Sequence, residues 1–130
     1  RDVDAARAVF AAPWDITMAP LDICGTLILD GARYAAVKTS NAPLAKVVIE
    51  NYSLWAHRSK YSADASSVLY DTVAAYLTFA DELCEMKTIT LSIDDKGNTV
   101  PDENGRPVRC ALGWKNRVAF EELLVTTLTR

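Results

Sequence analysis

"RDVDAARAVFAAPWDITMAPLDICGTLIL", Arg1 to Leu29, decides the fold class. Its first half, DVDAARAVFAAP, sets Val3, Ala6, Val9 and Phe10 on one face at helical spacing. Asp2 or Asp4 serves the start of that helix, and Pro13 ends it. The second half, ITMAPLDICGTLIL, is apolar and rich in β-formers. Broken by Pro20, it reads as a short buried strand and its exit. A strand directly after a helix points to α/β alternation. The order is also awkward, because a parallel sheet built from βα units normally begins with a strand. Nothing downstream offers the strand near Ile16 an obvious parallel partner. The front half of a larger α/β domain is therefore expected outside this chain. The absence of an initial Met leads the same way, to a cut or processed piece.

Downstream, DGARYAAVKTSNAP is a turn, a short helix and a second turn, punctuated by Gly31 and Pro43. An amphipathic helix is expected over Pro43–His57, with Val47, Val48, Tyr52 and Trp55 as its apolar positions. RSKYSADASS, from Arg58 to Ser67, is small and polar, hence a loop. LYDTVAAYLTFADEL reads as a buried helix. The period then changes. TITLSI, Thr88 to Ile93, alternates as a strand with one wet face, and DDKGN is a hairpin turn. A further turn at Asn104-Gly105 leads to a strand with Val108, Cys110 and Leu112 on one face. WKNRVAFEELLVTTLTR closes the chain as an amphipathic helix that Asn116 can cap.

Composition narrows the function classes. The chain has 130 residues, 50% hydrophobic and 24% charged, which is ordinary for one globular domain. A net charge of −3 gives no basic field for a polyanion, so no nucleic-acid partner is expected. No apolar run approaches the ~18 residues of a membrane span, so no membrane partner is expected either. Cys24, Cys84 and Cys110 share no metal-type spacing and are odd in number. They fit reduced, buried thiols in a cytoplasmic protein better than a disulfide. His57 is the only histidine, which excludes a histidine-rich metal site and any relay of two histidines within the chain.

The ordered segments resemble the C-terminal part of the inosine-uridine-type nucleoside hydrolases. RDVDAARAVFAAPWDITMAPLD is similar to that family's D-x-x-A-A-x-x-V-F segment and the I-T-M-x-x-L-D strand after it. NAPLAKVVIENYSLW resembles the long helix that follows, and SSVLYDTVAAYL the stretch with H-D-x-x-A-V-A. ENGRPVRCALGW and the last helix resemble the late hairpin and terminal helix. The resemblance spans almost the whole chain, and its order and spacing are more specific than any one motif. It implies an α/β fold: the C-terminal part of a mixed sheet wrapped by helices, with a late antiparallel hairpin and a terminal helix. Residues 1–130 would form one domain-sized portion of a larger domain. The implied activity is Ca²⁺-dependent hydrolysis of the N-glycosidic bond of a ribonucleoside, a purine or pyrimidine salvage reaction. A hard cation with oxygen ligands suits this chemistry because it can fix a diol and a water together.

Residue by residue, Asp71 stands at the aspartate of the family's H-D pair, a calcium ligand. Read from the residues alone, Asp71 is a cap for the helix it opens, and a helix end presents a carboxylate well in either role. The histidine that commonly precedes it, and helps protonate the leaving base, is Tyr70 here. A phenol with a pKa of about 10 is a poorer general acid at neutral pH. Tyr70 is then expected to stack on the base or donate one hydrogen bond, or else to be a packing aromatic. Tyr61 and Trp55 flank the polar loop that in the family is a flap over the base, so both are candidates for substrate binding, though Trp55 at helical spacing also suits a core. Asp22 in PLD is expected to be structural, and Ile23-Cys24-Gly25 replaces the family's V-T-H. The aspartate-rich D-x-D-x-x-x-D-D motif, which supplies most calcium ligands and the catalytic base, has no counterpart; Asp94-Asp95 is a solvated turn. The expected partners are thus a ribonucleoside, a missing N-terminal segment or partner chain, and further copies in a homo-oligomer. Alone, the chain is expected to be inactive. The alternative is a non-catalytic chain that serves as a structural or interaction module.

Overall fold

The computed structural model describes residues 2–59 and 64–130. The first helix, α1 (Val3–Ala11), starts as the sequence directs: Asp2 Oδ1 accepts the Ala5 N–H at 2.9 Å. Its far end is held from a distance. The Arg106 guanidinium donates to the main-chain carbonyls of Phe10, Ala12 and Trp14. A cation at a helix C-terminus meets both the free carbonyls and the negative end of the dipole.

The stretch from Ile16 to Leu29 is less regular than a strand with its exit. Only Thr17–Met18 forms a strand (β1), and Leu21–Cys24 closes into a one-turn helix (α2) behind Pro20. There follow α3 (Gly31–Lys38), α4 (Pro43–Ser59) and α5 (Tyr70–Tyr76). The helix expected over LYDTVAAYLTFADEL is therefore short. After Tyr76 the chain turns back, because the Tyr76 hydroxyl bonds Glu82 Oε2 at 3.0 Å and accepts the Leu83 N–H at 3.3 Å. The strands β2 (Cys84–Ile93), β3 (Thr99–Pro101) and β4 (Arg106–Trp114) then lead into α6 (Arg117–Leu128). Asn116 caps α6 as expected, accepting the Ala119 N–H at 3.0 Å.

The strands make one sheet in the order β1-β4-β2-β3. β2 pairs antiparallel with both β3 and β4. β1 pairs in parallel with β4, Thr17 opposite Arg109 and Met18 opposite Cys110. This corrects the expectation that the Ile16 strand lacks a parallel partner inside the chain. The antiparallel run of β2 turns β4 back into the direction of β1, a relation that no local pattern carries. One face of β4 also departs from simple alternation. Met86 faces Ala111 but Glu85 faces Gly113, so Leu112 is the extra residue of a bulge. Val108, Cys110 and Ala111 are buried and Leu112 is exposed.

Among the described residues, three apolar clusters fill the fold. Ile23, Leu27, Val73, Tyr76, Cys84, Ala111 and Phe120 join α2, α5, the sheet and α6. Leu29, Tyr34, Val37 and Ala45 join α3 to α4 and α6. Leu91, Val108 and Cys110 pack under Phe10 of α1. Among the described residues Glu121 is the buried charge, held by Arg117 at 2.7 Å and by Arg33 of α3 at 3.3 Å. The inward face of α4 is Ala45, Ile49 and Tyr52. Val47, Val48 and Trp55, expected on the apolar inner face, point outward instead. Tertiary packing has chosen the neighbouring stripe. The face of α5 over Val73–Leu77 is covered by α2 and α6, whereas Leu21 is exposed.

Candidate functional site

The N-terminus of α5 is built on the segment before it. Ser66 N–H donates to Leu29 O at 2.8 Å, and Leu69 N–H to Leu27 O at 2.9 Å. Ser66 Oγ accepts the Leu29 N–H at 2.9 Å. From the other side the Tyr52 hydroxyl donates to Ala65 O at 3.1 Å. SSVL is thus clamped between the exit of α2 and helix α4. Leu69 packs into two of the apolar clusters and fixes where the helix begins.

The N-cap position is Leu69, which has no side-chain acceptor. Asp71 is the second helical residue, and its carboxylate bonds no backbone N–H of the turn. The reading of Asp71 as a cap is corrected on this point. Its relation to the helix is electrostatic, a negative charge in the first turn at the positive end of the dipole. Asp71 is exposed and makes no hydrogen bond or ion pair among the described residues. Tyr70 beside it is half exposed.

Helix α5 packs against α2, and this brings a second carboxylate into the neighbourhood. The Cys24 thiol is pushed up, first by burial and also by the charges of Asp71 and Asp22. Asp22, expected to be structural, is exposed in the first turn of α2. Both aspartates therefore act on one buried thiol. No spacing in the sequence announces this pair, since it arises from helix docking.

The other candidates are dispersed. Trp55 lies on α4 and packs its ring 5.9 Å from that of Tyr52. Among the described residues, Tyr52 links it to Ala65, in the segment before Tyr70 and Asp71. Tyr61 and the side chain of His57 lie outside the described residues. Asp94 is used by its own turn. It accepts from the Lys96 and Asn98 N–H groups and the Asn98 side chain. The Asn98 side-chain bond leads the causes that hold its carboxyl below the usual range. Asp95 pairs with Arg7. Among the described residues, no three His, Cys, Asp or Glu side chains come together as a metal site. Asp71 thus fits one oxygen ligand of a hard cation, and the described residues do not fit Ca²⁺ as a complete set. Among the described residues, no helix is long and apolar enough to cross a membrane.

Cys24, Cys84 and Cys110 are all free and buried, and burial pushes each thiol above its ordinary value. Burial does the same to the Tyr34 and Tyr76 phenols. The folded state then holds these protons more tightly than the unfolded chain does. The resulting stability is full below the ordinary thiol value of 9.0 and is lost as the pH rises through the raised ones. Melting temperature is expected to fall on going from pH 8 to above pH 9. A water-soluble thiol reagent at pH 8 is expected to label the folded chain slowly and the unfolded chain at three sites. Rapid labelling of the folded chain, or a melting temperature flat across that range, would contradict the burial of these groups.

No protein-family model matches the chain, and no curated protein matches it. Among solved structures, the chain is similar to a plant nucleoside hydrolase, the PpNRh1 enzyme, with a TM-score of 0.75 and 20% sequence identity. The alignment covers 97% of this chain and 45% of that enzyme, so the chain spans less than half the length of its structural neighbour. At this identity the likeness is one of fold. The mixed four-stranded sheet, with the helices around it and α6 at its end, is a segment of a nucleoside hydrolase-like fold.

Proposed function

We propose that this chain is part of a ribonucleoside hydrolase that cleaves the N-glycosidic bond to base and ribose. The observation that carries the reading is the fold likeness to a plant nucleoside hydrolase over nearly all of the chain. The resemblance of SSVLYDTVAAYL to the family's H-D segment adds to it. In this reading Asp71 supplies one ligand to Ca²⁺, and the other ligands and the catalytic base come from residues outside the chain. The exposed carboxylate, engaged by nothing else among the described residues, suits that role. Tyr70 is half exposed at the same helix end; in this reading it serves the leaving base, by stacking or by donating one hydrogen bond. The proposal rests on Tyr70 and Asp71. Tyr61 stays with it as a flap aromatic, while Trp55 sits on a different helix.

One observation favours the non-catalytic alternative: the described residues gather no metal-ligating group of three. Calcium sites take 6–8 oxygens, and a single carboxylate cannot hold the ion usefully. The two readings part on whether an upstream segment or partner chain supplies the D-x-D-x-x-x-D-D motif. In both, the purified chain of 130 residues is expected to release no ribose from inosine or uridine, with or without Ca²⁺. A reducing-sugar assay checks this. Calcium-dependent ribose release by the chain alone would overturn the assignment of the base and the remaining ligands to another segment. Coexpression with a segment carrying the aspartate motif is expected to restore turnover under the hydrolase reading and to leave none under the alternative.

A further inference from the structure

Asparagine stands at positions 41, 51, 98, 104 and 116. Of these, Asn104 precedes a glycine, whose missing Cβ leaves the next amide nitrogen open to a close approach. Asn104 is exposed, and its side chain makes no hydrogen bond among the described residues. The others are engaged or hindered. The Asn51 amide donates to Val47 O, that of Asn98 donates to Asp94 Oδ2, and Asn116 Oδ1 accepts the Ala119 N–H. Asn41 is followed by Ala42, whose N–H donates to Ser40 Oγ at 3.1 Å. The fold also fixes Gly105. A Cβ there would lie 2.3 Å from Leu91 O and 3.0 Å from Asp102 O. A side chain that would shield Asn104 therefore has no room.

We propose that Asn104-Gly105 is a self-modification site, where conversion of Asn104 to isoaspartate loosens the hold of Arg106 on α1. The Gly105 nitrogen attacks Asn104 Cγ. The Cγ–Nδ2 bond breaks, and ammonia leaves with the proton of the attacking amide. Solvent water then opens the cyclic imide. Cleavage at Cγ gives aspartate on an unchanged backbone. Cleavage at the main-chain carbonyl gives isoaspartate, with one methylene added to the main chain. Attack needs the Gly105 N–H to leave Asp102 O, to which it donates at 2.9 Å. That bond closes an exposed turn, where local opening costs least. Arg106 follows directly, opposite Leu91 of β2. Its guanidinium holds the Phe10, Ala12 and Trp14 carbonyls at the end of α1. No residue of α1 is fully buried. Its other ties are the half-buried Phe10 and the pair of Arg7 with the fully exposed Asp95, and an exposed pair holds little. Leu91 O leaves no space inward at Gly105, so the added length pushes the turn outward and carries Arg106 with it. The proposal is independent of the hydrolase reading.

Incubation of the folded chain in mildly alkaline buffer, followed by peptide mapping, tests it. Asn104 is expected to lose its amide, while Asn41, Asn51, Asn98 and Asn116 keep theirs. Asn104→Gln is expected to abolish the loss, because its longer side chain closes the ring less readily. The isoaspartate and aspartate products, separated by chromatography, are then compared by hydrogen exchange. Protection of the α1 amides is expected to drop in the isoaspartate form and in Arg106→Ala. It is expected to match the parent in the aspartate form and in Asn104→Asp. An Asn104 amide that persists in the folded chain overturns the proposal. So does a loss spread evenly over all the asparagines, or α1 protection unchanged in the isoaspartate form.

Discussion

Calcium affinity of a nucleoside hydrolase completed around this chain is expected to fall by orders of magnitude in Asp71→Asn, while the melting temperature barely moves. The asymmetry follows from where Asp71 sits. It is the second residue of α5, exposed, and bonds no backbone amide. Asparagine keeps its shape and loses only its charge near the helix N-terminus, worth about 0.3–1 kcal/mol at an exposed site. A hard cation depends on that charge, because affinity in such sites is tuned by the number of anionic ligands. Tyr70→Phe should leave both metal affinity and stability unchanged, and should lower turnover only if the phenol assists the leaving base. Calorimetric titration of parent and variant proteins decides the matter. Equal calcium affinity with a clearly lowered melting temperature would make Asp71 a helix-dipole residue and nothing more.

Phe120→Ala should be the most damaging core substitution. Phe120 is 2% exposed and sits where α6 meets the sheet and α5. Its ring lies 5.2 Å from that of Tyr76, edge-on, and 4.8 Å from that of Trp114. Truncation removes the transfer energy of the ring and leaves a cavity walled by two large aromatics that cannot collapse freely. The expected loss is about 3–5 kcal/mol. For a chain of this size that corresponds to a fall in melting temperature of roughly 10–20 °C. Val118→Ala, on the same helix but 52% exposed, should cost no more than about 0.5 kcal/mol. Denaturant unfolding of the two variants tests the pair. Similar losses would mean that α6 is not anchored through Phe120.

The helix that carries the candidate residues was legible because it depends on order along the chain. Tyr70 and Asp71 open a helix as expected, and the fold likeness agrees with the family that SSVLYDTVAAYL resembles. The capping role was not legible. It turns on which residue adopts the last non-helical backbone, and the clamp of Ser66 and Leu69 on Leu27 and Leu29 sets that boundary. The approach of Asp71 to the Cys24 thiol was not legible either, because it comes from the docking of α2 on α5.

The sequence by itself determined the local features. Asp2 and Asn116 cap their helices because short oxygen-bearing side chains reach the free N–H groups. The β2–β3 hairpin follows from Asp94 and Gly97, the latter at φ 83°, where a side chain is strained. Alternation and the turn at Asn104-Gly105 likewise set β2 and β4 side by side. Only the tertiary structure decided the rest. β1 found its parallel partner in β4 because an antiparallel hairpin reverses the chain between them. Periodicity allowed α4 two apolar stripes, and the packing of α3 and α6 selected Ala45, Ile49 and Tyr52 for the core. Hydrophobic burial rewards whichever face meets a neighbour, and a sequence pattern records the faces without recording the neighbours.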